Sequence, residues 1–209
     1  MNGRAIYAAD LYSQLLASIG KRLNPLGFRK HGGKFLRKVS FGSLVISFQK
    51  SLKSTKDDIY FTADISILHT GLAKRLADLG FSTMVSSHYR QRVGLLLSPP
   101  RDQWWRISGS VKPCVLESDV WNVLENHAVP DLLQFKSEDA LRDLWQSGRS
   151  PGLTEGQRII CLAALLKEMG RELELRKLED DIVSNSGLTR KPFGMIAAVF
   201  DALRQGNQE

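Results

Sequence analysis

The stretch from Gly27 to Ser51, GFRKHGGKFLRKVSFGSLVISFQKS, constrains the fold more than any other part of the chain. It reads as two short strands folded at Gly32-Gly33, because a two-residue hairpin turn needs positive φ and glycine supplies it without steric cost. Alternation within this hairpin is imperfect, so the pattern does not assign its basic residues to faces. After Ser40-Phe41-Gly42 comes a third strand, with Leu44, Ile46 and Phe48 alternating against Val45, Ser47 and Gln49. The polar loop Lys53 to Asp58 leads into the cleanest period-two run. There Ile59, Phe61, Ala63, Ile65 and Ile67 point one way, and Tyr60, Thr62, Asp64 and Ser66 the other. Strands joined by short polar loops make an antiparallel meander.

Before the hairpin, Leu11, Leu15, Leu16, Ile19 and Leu23 share one face of a helix from Asp10 to Leu23, ended by Asn24-Pro25 and expected to cover the sheet. Beyond the fourth strand the pattern predicts a short helix from Gly71 to Leu79, with Gly80 at its end. Strands at Tyr89 to Leu97 and Gln103 to Ser108 would bring the sheet to five or six. From Val115 the chain turns helical. Asp119 is placed to cap a helix reaching about His127, and Ser137 another through Trp145. Ser150-Pro151-Gly152 reads as a boundary, followed by the capping-box spacing Thr154-x-x-Gln157 and an inward stripe of Ile159, Leu162, Ala163, Leu166 and Met169. The next helix carries Leu175, Leu178 and Ile182, with a Glu172 and Arg176 pair at i,i+4. A last helix from Pro192 to Leu203 is nearly continuous in apolar residues and should be well buried. The expected architecture is therefore α+β: an antiparallel meander sheet covered by an N-terminal helix, with an all-helical C-terminal section. The expected division is 1–150 for the sheet domain and 151–209 for the helical section, which could pack onto the first as one body.

Charge is segregated. Residues 1–70 hold 11 Lys plus Arg against 4 Asp plus Glu, whereas residues 71–209 hold 18 of each. Lys21 to Lys56 contains ten basic side chains and no acidic one. Such a block favours an acidic partner, either a protein face or a phosphate backbone. With no apolar run near the roughly 20 residues that span a bilayer and no leader-like N-terminus, the chain is expected to be cytoplasmic. Cys114 and Cys161 lie far apart without Cys-x-x-Cys spacing and read as buried, reduced thiols.

Motifs for chemistry are missing. His31, His69, His88 and His127 fall at no metal-ligand spacing and read as ordinary surface or partly buried residues. Asp64, with Lys50 near it in sequence, reads as a solvated strand residue or the partner of a basic neighbour. There is no Gly-x-Ser-x-Gly, no Gly-Lys-Ser/Thr loop and no Gly-x-Gly-x-x-Gly opening a helix, so no cofactor, metal or catalytic residue is assigned.

Leu26-Gly27-Phe28-Arg29-Lys30, Phe35-Leu36-Arg37 and Ile46-Ser47-Phe48-Gln49-Lys50-Ser51, together with the Trp104-Trp105 strand end and Val129-Pro130-Asp131-Leu132-Leu133, resemble a widespread bacterial family of uncharacterised domains. The resemblance covers roughly residues 10 to 145. It implies an α+β fold, a bacterial source and no assigned activity. Genes of this sort can sit beside toxin and immunity loci, a context in which a toxin-neutralising role is one reading.

The reading that follows is a non-catalytic interaction module that binds an acidic protein partner. The candidate contact residues are Arg29, Lys30, Lys34, Arg37, Lys38 and Lys50, with Trp104 and Trp105 as aromatic anchors. The alternative is nucleic-acid binding by the same basic hairpin.

Overall fold

The computed structural model describes residues 7–81, 86–109, 111–184 and 190–205. Helix α1 spans Ala8–Leu23 and buries Tyr12, Leu15, Leu16, Ile19 and Leu23. Asp10 in its first turn and Lys21 and Arg22 in its last complement the helix dipole. A 3₁₀ turn, Asn24–Leu26, and Gly27 at φ 84° swing the chain into the sheet.

The sheet contains β1 (Arg29–His31), β2 (Lys34–Val39), β3 (Gly42–Lys50), β4 (Ile59–His69), β5 (Tyr89–Arg92) and β6 (Trp105–Ile107). Their order is β1-β2-β3-β4-β5, with β6 also on β4, so the fold is an α+β antiparallel meander as its alternation required. Ile59, Phe61, Ala63, Ile65 and Ile67 are all at most 2% exposed. Full burial of a side chain of this size contributes about 1.5 to 3 kcal/mol, so this one strand is a large part of the core. Aromatic rings extend it. Phe61 meets Tyr12 at 5.3 Å and Trp105 at 5.5 Å, and Phe35 meets Phe48 edge-on at 6.0 Å.

Two expected strands are shorter than their pattern, β6 keeping only Trp105–Ile107 of the span from Gln103 to Ser108. β5 stops at Arg92 because Val93–Leu96 coil into a 3₁₀ turn, where a Cβ on Gly94 would lie 2.1 Å from the Arg101 carbonyl oxygen. Helix α3 (Pro113–Val123) then runs through a π-helical stretch, Leu124–Ala128, into α4 (Val129–Leu133). Asp119 lies inside α3 and caps nothing. Its carboxylate accepts the Trp105 indole N–H at 2.7 Å instead.

Chain contacts divide the molecule into two compact units, Met1–Val39 with Ser43–Ile67 and Arg90–Gln134, and Ser40–Gly42 with Leu68–Tyr89 and Phe135–Glu209. The second unit holds α2 (Thr70–Asp78), α5 (Glu138–Gln146), α6 (Glu155–Glu168), α7 (Glu172–Ser184) and α8 (Arg190–Gln205). Every residue from Ile159 to Leu166 on α6 is buried, and α2, α5, α7 and α8 pack around it. A helix apolar all round belongs at the centre. The expected stripe is thus a full girdle, and α8, expected to be well buried, instead buries Ile196, Val199, Phe200 and Leu203 while Met195 stays exposed. The Thr154 and Gln157 capping box opens α6 with both reciprocal hydrogen bonds. Ser137 precedes α5 but makes no capping hydrogen bond, its hydroxyl turning to Asp139. Glu172 pairs with Lys167 at 2.8 Å. Among the described residues no helix is long and apolar enough to cross a membrane.

Candidate functional site

The turn after α1 and the first hairpin together border an open hollow. Gly27 donates its N–H to Asn24 O at 3.0 Å and Phe28 donates to Leu23 O at 3.2 Å, which pins the start of β1 to the end of α1. Beyond it, Arg29 pairs with Leu36, Lys30 with Phe35 and His31 with Lys34 across the Gly32-Gly33 turn. Residues directly opposite share a face. Arg29, His31, Lys34, Leu36 and Lys38 therefore share one face, and Phe28, Lys30, Phe35 and Arg37 the other. Phe28 and Phe35 are each 1% exposed, so their face is the core side.

A cavity of about 880 Å³ is lined by Arg29, Lys30, His31, Arg37 and Lys38, together with Pro25, Leu26, Gly27 and Leu36. The lining contains two arginines, two lysines and a histidine, and no carboxylate. Two of these groups are tied down. Arg29 donates to the Asn24 carbonyl at 2.9 Å and to the Asn24 side chain, while Arg37 donates to the Leu26 carbonyl at 3.0 Å.

The other residues singled out in the sequence fall elsewhere. Lys34 is exposed at the hairpin tip, outside the lining. Lys50 ends β3 with its ammonium 4.5 Å above the Tyr12 ring. Trp105 is a core residue at 3% exposure. Trp104 is at the surface, where its indole N–H meets Asp102 at 2.8 Å and the Arg92 guanidinium lies 5.3 Å from its ring centre. His31 belongs to the cavity, although the sequence had suggested it only as an ordinary histidine. Its position across from Lys34, flanking a two-residue turn, was the available signal.

Asp64 is buried rather than solvated, at 1% exposure. Its Oδ2 accepts from Arg90 at 2.7 Å, Arg92 Nε lies 3.8 Å from Oδ1, and that Oδ1 has no hydrogen bond among the described residues. Of the two expectations, pairing with a basic neighbour holds, and Arg90 on β5 supplies it. Arg92 also pairs with Asp102 at 2.7 Å. The Trp104 indole and then Arg92 hold the Asp102 carboxyl below the usual carboxylate range.

Two histidines are core residues. His69 is 3% and His88 2% exposed, whereas the sequence read both as ordinary surface or partly buried residues. His69 caps α2, its Nδ1 accepting from the Leu72 N–H at 3.0 Å and its Nε2 facing Glu138 at 3.0 Å. The His69 backbone N–H donates to His88 Nδ1 at 3.0 Å, and His88 Nε2 has no partner among the described residues. Burial first, and His69 second, push the His88 pKa down to about 4. Among the described residues no three His, Cys, Asp or Glu side chains converge as a metal site. Cys161 is buried and its thiol is pushed up to about 12, but Cys114 is exposed, because it sits on the first turn of α3.

No curated protein and no solved structure matches the chain. Residues 19–133 match DUF4304, a domain of unknown function, and the chain belongs to that family.

Proposed function

We propose that this DUF4304 chain is a non-catalytic interaction module that captures an acidic protein partner in the cavity of the first hairpin. The observation that carries the reading is the cationic lining without a carboxylate. Like charges held together repel one another unless a partner neutralises them, and a cleft of one sign steers that partner in. Exposed ion pairs contribute only about 0.2 to 1 kcal/mol each, so charge selects the partner while Pro25, Leu26 and Leu36 offer apolar area to anchor it. The lining presents no nucleophile beside a base, which favours binding over catalysis. Its one ring is the His31 imidazole, with no Phe, Tyr or Trp to build a stacking platform, which favours protein over single-stranded nucleic acid. An acidic toxin face would be one such partner.

The test is fluorescence anisotropy with a labelled Glu-rich peptide containing one Leu and with a labelled random RNA, at physiological salt. The peptide should bind, and Lys30→Glu with Lys38→Glu should weaken it at least about tenfold. Submicromolar RNA binding, lost in that variant and exceeding peptide binding, would overturn the reading.

A further inference from the structure

We infer that the acidic segment binds as an added β-strand on the open edge of β1, with its backbone paired to Lys30. The inference rests on the binding reading above and adds how the partner docks. β1 ends the sheet order and pairs with β2 on one side alone. Residues flanking a two-residue turn form the hydrogen-bonded kind of antiparallel pair, so His31 and Lys34 face each other, and Arg29 and Leu36 repeat this two residues on. Lys30, between them, must turn its N–H and C=O away from β2. Phe28 has the same parity, and its N–H does point outward, where Leu23 O accepts it. The edge is therefore closed by the end of α1 as far as Phe28 and open from Lys30.

The cavity lies where such a strand would lie. Its lining takes Arg29, His31, Leu36 and Lys38 from one face of the hairpin and Lys30 and Arg37 from the other, so the hollow wraps round the edge. A strand laid there would send alternate side chains to the two faces, with Arg29, His31 and Lys38 beside one set and Lys30 and Arg37 beside the other. The occupant is thus an extended segment of another protein, acidic at successive positions, with an apolar residue against Leu26 and Leu36. The charges that attract it also repel the equally basic edge of a second copy, which lets an open edge persist without self-pairing.

Eight-residue peptides of Glu and Val with one central Leu, each N-methylated at a single successive position, test the geometry by titration against the full chain. Methylation should weaken binding about tenfold or more at the one position whose amide meets the Lys30 carbonyl and little at the others, since Lys30 is the one residue of β1 whose backbone is open on that edge. On saturation with the unmethylated peptide, hydrogen exchange of the Lys30 amide should slow at least about tenfold, while those of Arg29 and His31, already bonded to β2, change little. Binding that ignores methylation and leaves Lys30 exchange unchanged would refute strand addition while keeping an acidic-peptide site. Failure of the unmethylated peptide to bind would overturn both readings.

Discussion

Replacing His88 with Asn should remove most of the mild-acid sensitivity of folding. His88 Nδ1 accepts the His69 N–H, so its proton sits on Nε2 and the ring is neutral. In the unfolded chain the imidazole has a pKa of about 6.5, whereas in the fold burial lowers it to about 4. Between these values the unfolded chain takes up a proton that the folded one refuses. Stability is therefore intact above pH 6.5, falls as the pH drops through that value, and levels off below 4. A shift of this size amounts to about 3 kcal/mol in full, of which about 2 kcal/mol is already lost at pH 5. Asn keeps an acceptor for His69 but cannot titrate. Urea unfolding of both proteins at pH 7.5 and 5 isolates the effect, because the carboxylates common to both cancel. The variant should be weaker at pH 7.5 through lost ring packing, yet lose about 2 kcal/mol less than the parent on acidification at equal m-value. Equal losses in the two proteins would refute the reasoning.

Thr154→Ala breaks the capping box of α6 and should lower unfolding free energy by about 1 kcal/mol in urea titrations. Gly94→Ala drives a Cβ to 2.1 Å from the Arg101 carbonyl and should cost about 1 to 3 kcal/mol, read as a lower thermal midpoint. An aromatic disulfide reagent should label the exposed Cys114 in the native protein but reach Cys161 only on unfolding, giving one fast thiol and then a second in denaturant.

Much of this architecture is legible where the side-chain period and the local turn chemistry agree. The 59–67 alternation, the Gly-Gly hairpin and the Thr154 box all return as drawn, because each is settled by neighbours in sequence. Burial of polar residues is not legible in that way. Thr62 and Asp64 alternate like solvated residues, but Gln103 O accepts the Thr62 hydroxyl at 2.8 Å and Arg90 covers Asp64, and those partners lie 41 and 26 positions away. His69 and His88 are brought together in the same fashion. At the candidate site the basic composition was visible, whereas the hollow depends on the Asn24–Leu26 turn folding back against the hairpin.

That turn has a consequence for how the site would respond to substitution. Arg29 and Arg37 spend donors on its carbonyls before any partner arrives, so their rotamer freedom is already surrendered on folding. Among the described residues Lys30 and Lys38 make no such bonds, and they would still have to be ordered on contact. In the proposed recognition of an acidic segment, the two arginines would act as a rigid template for a carboxylate, and the lysines as a compliant fringe that adjusts to sequence differences between partners. Exchange of either arginine for lysine preserves charge and loses the template, while exchange of either lysine for arginine leaves the geometry of recognition in place.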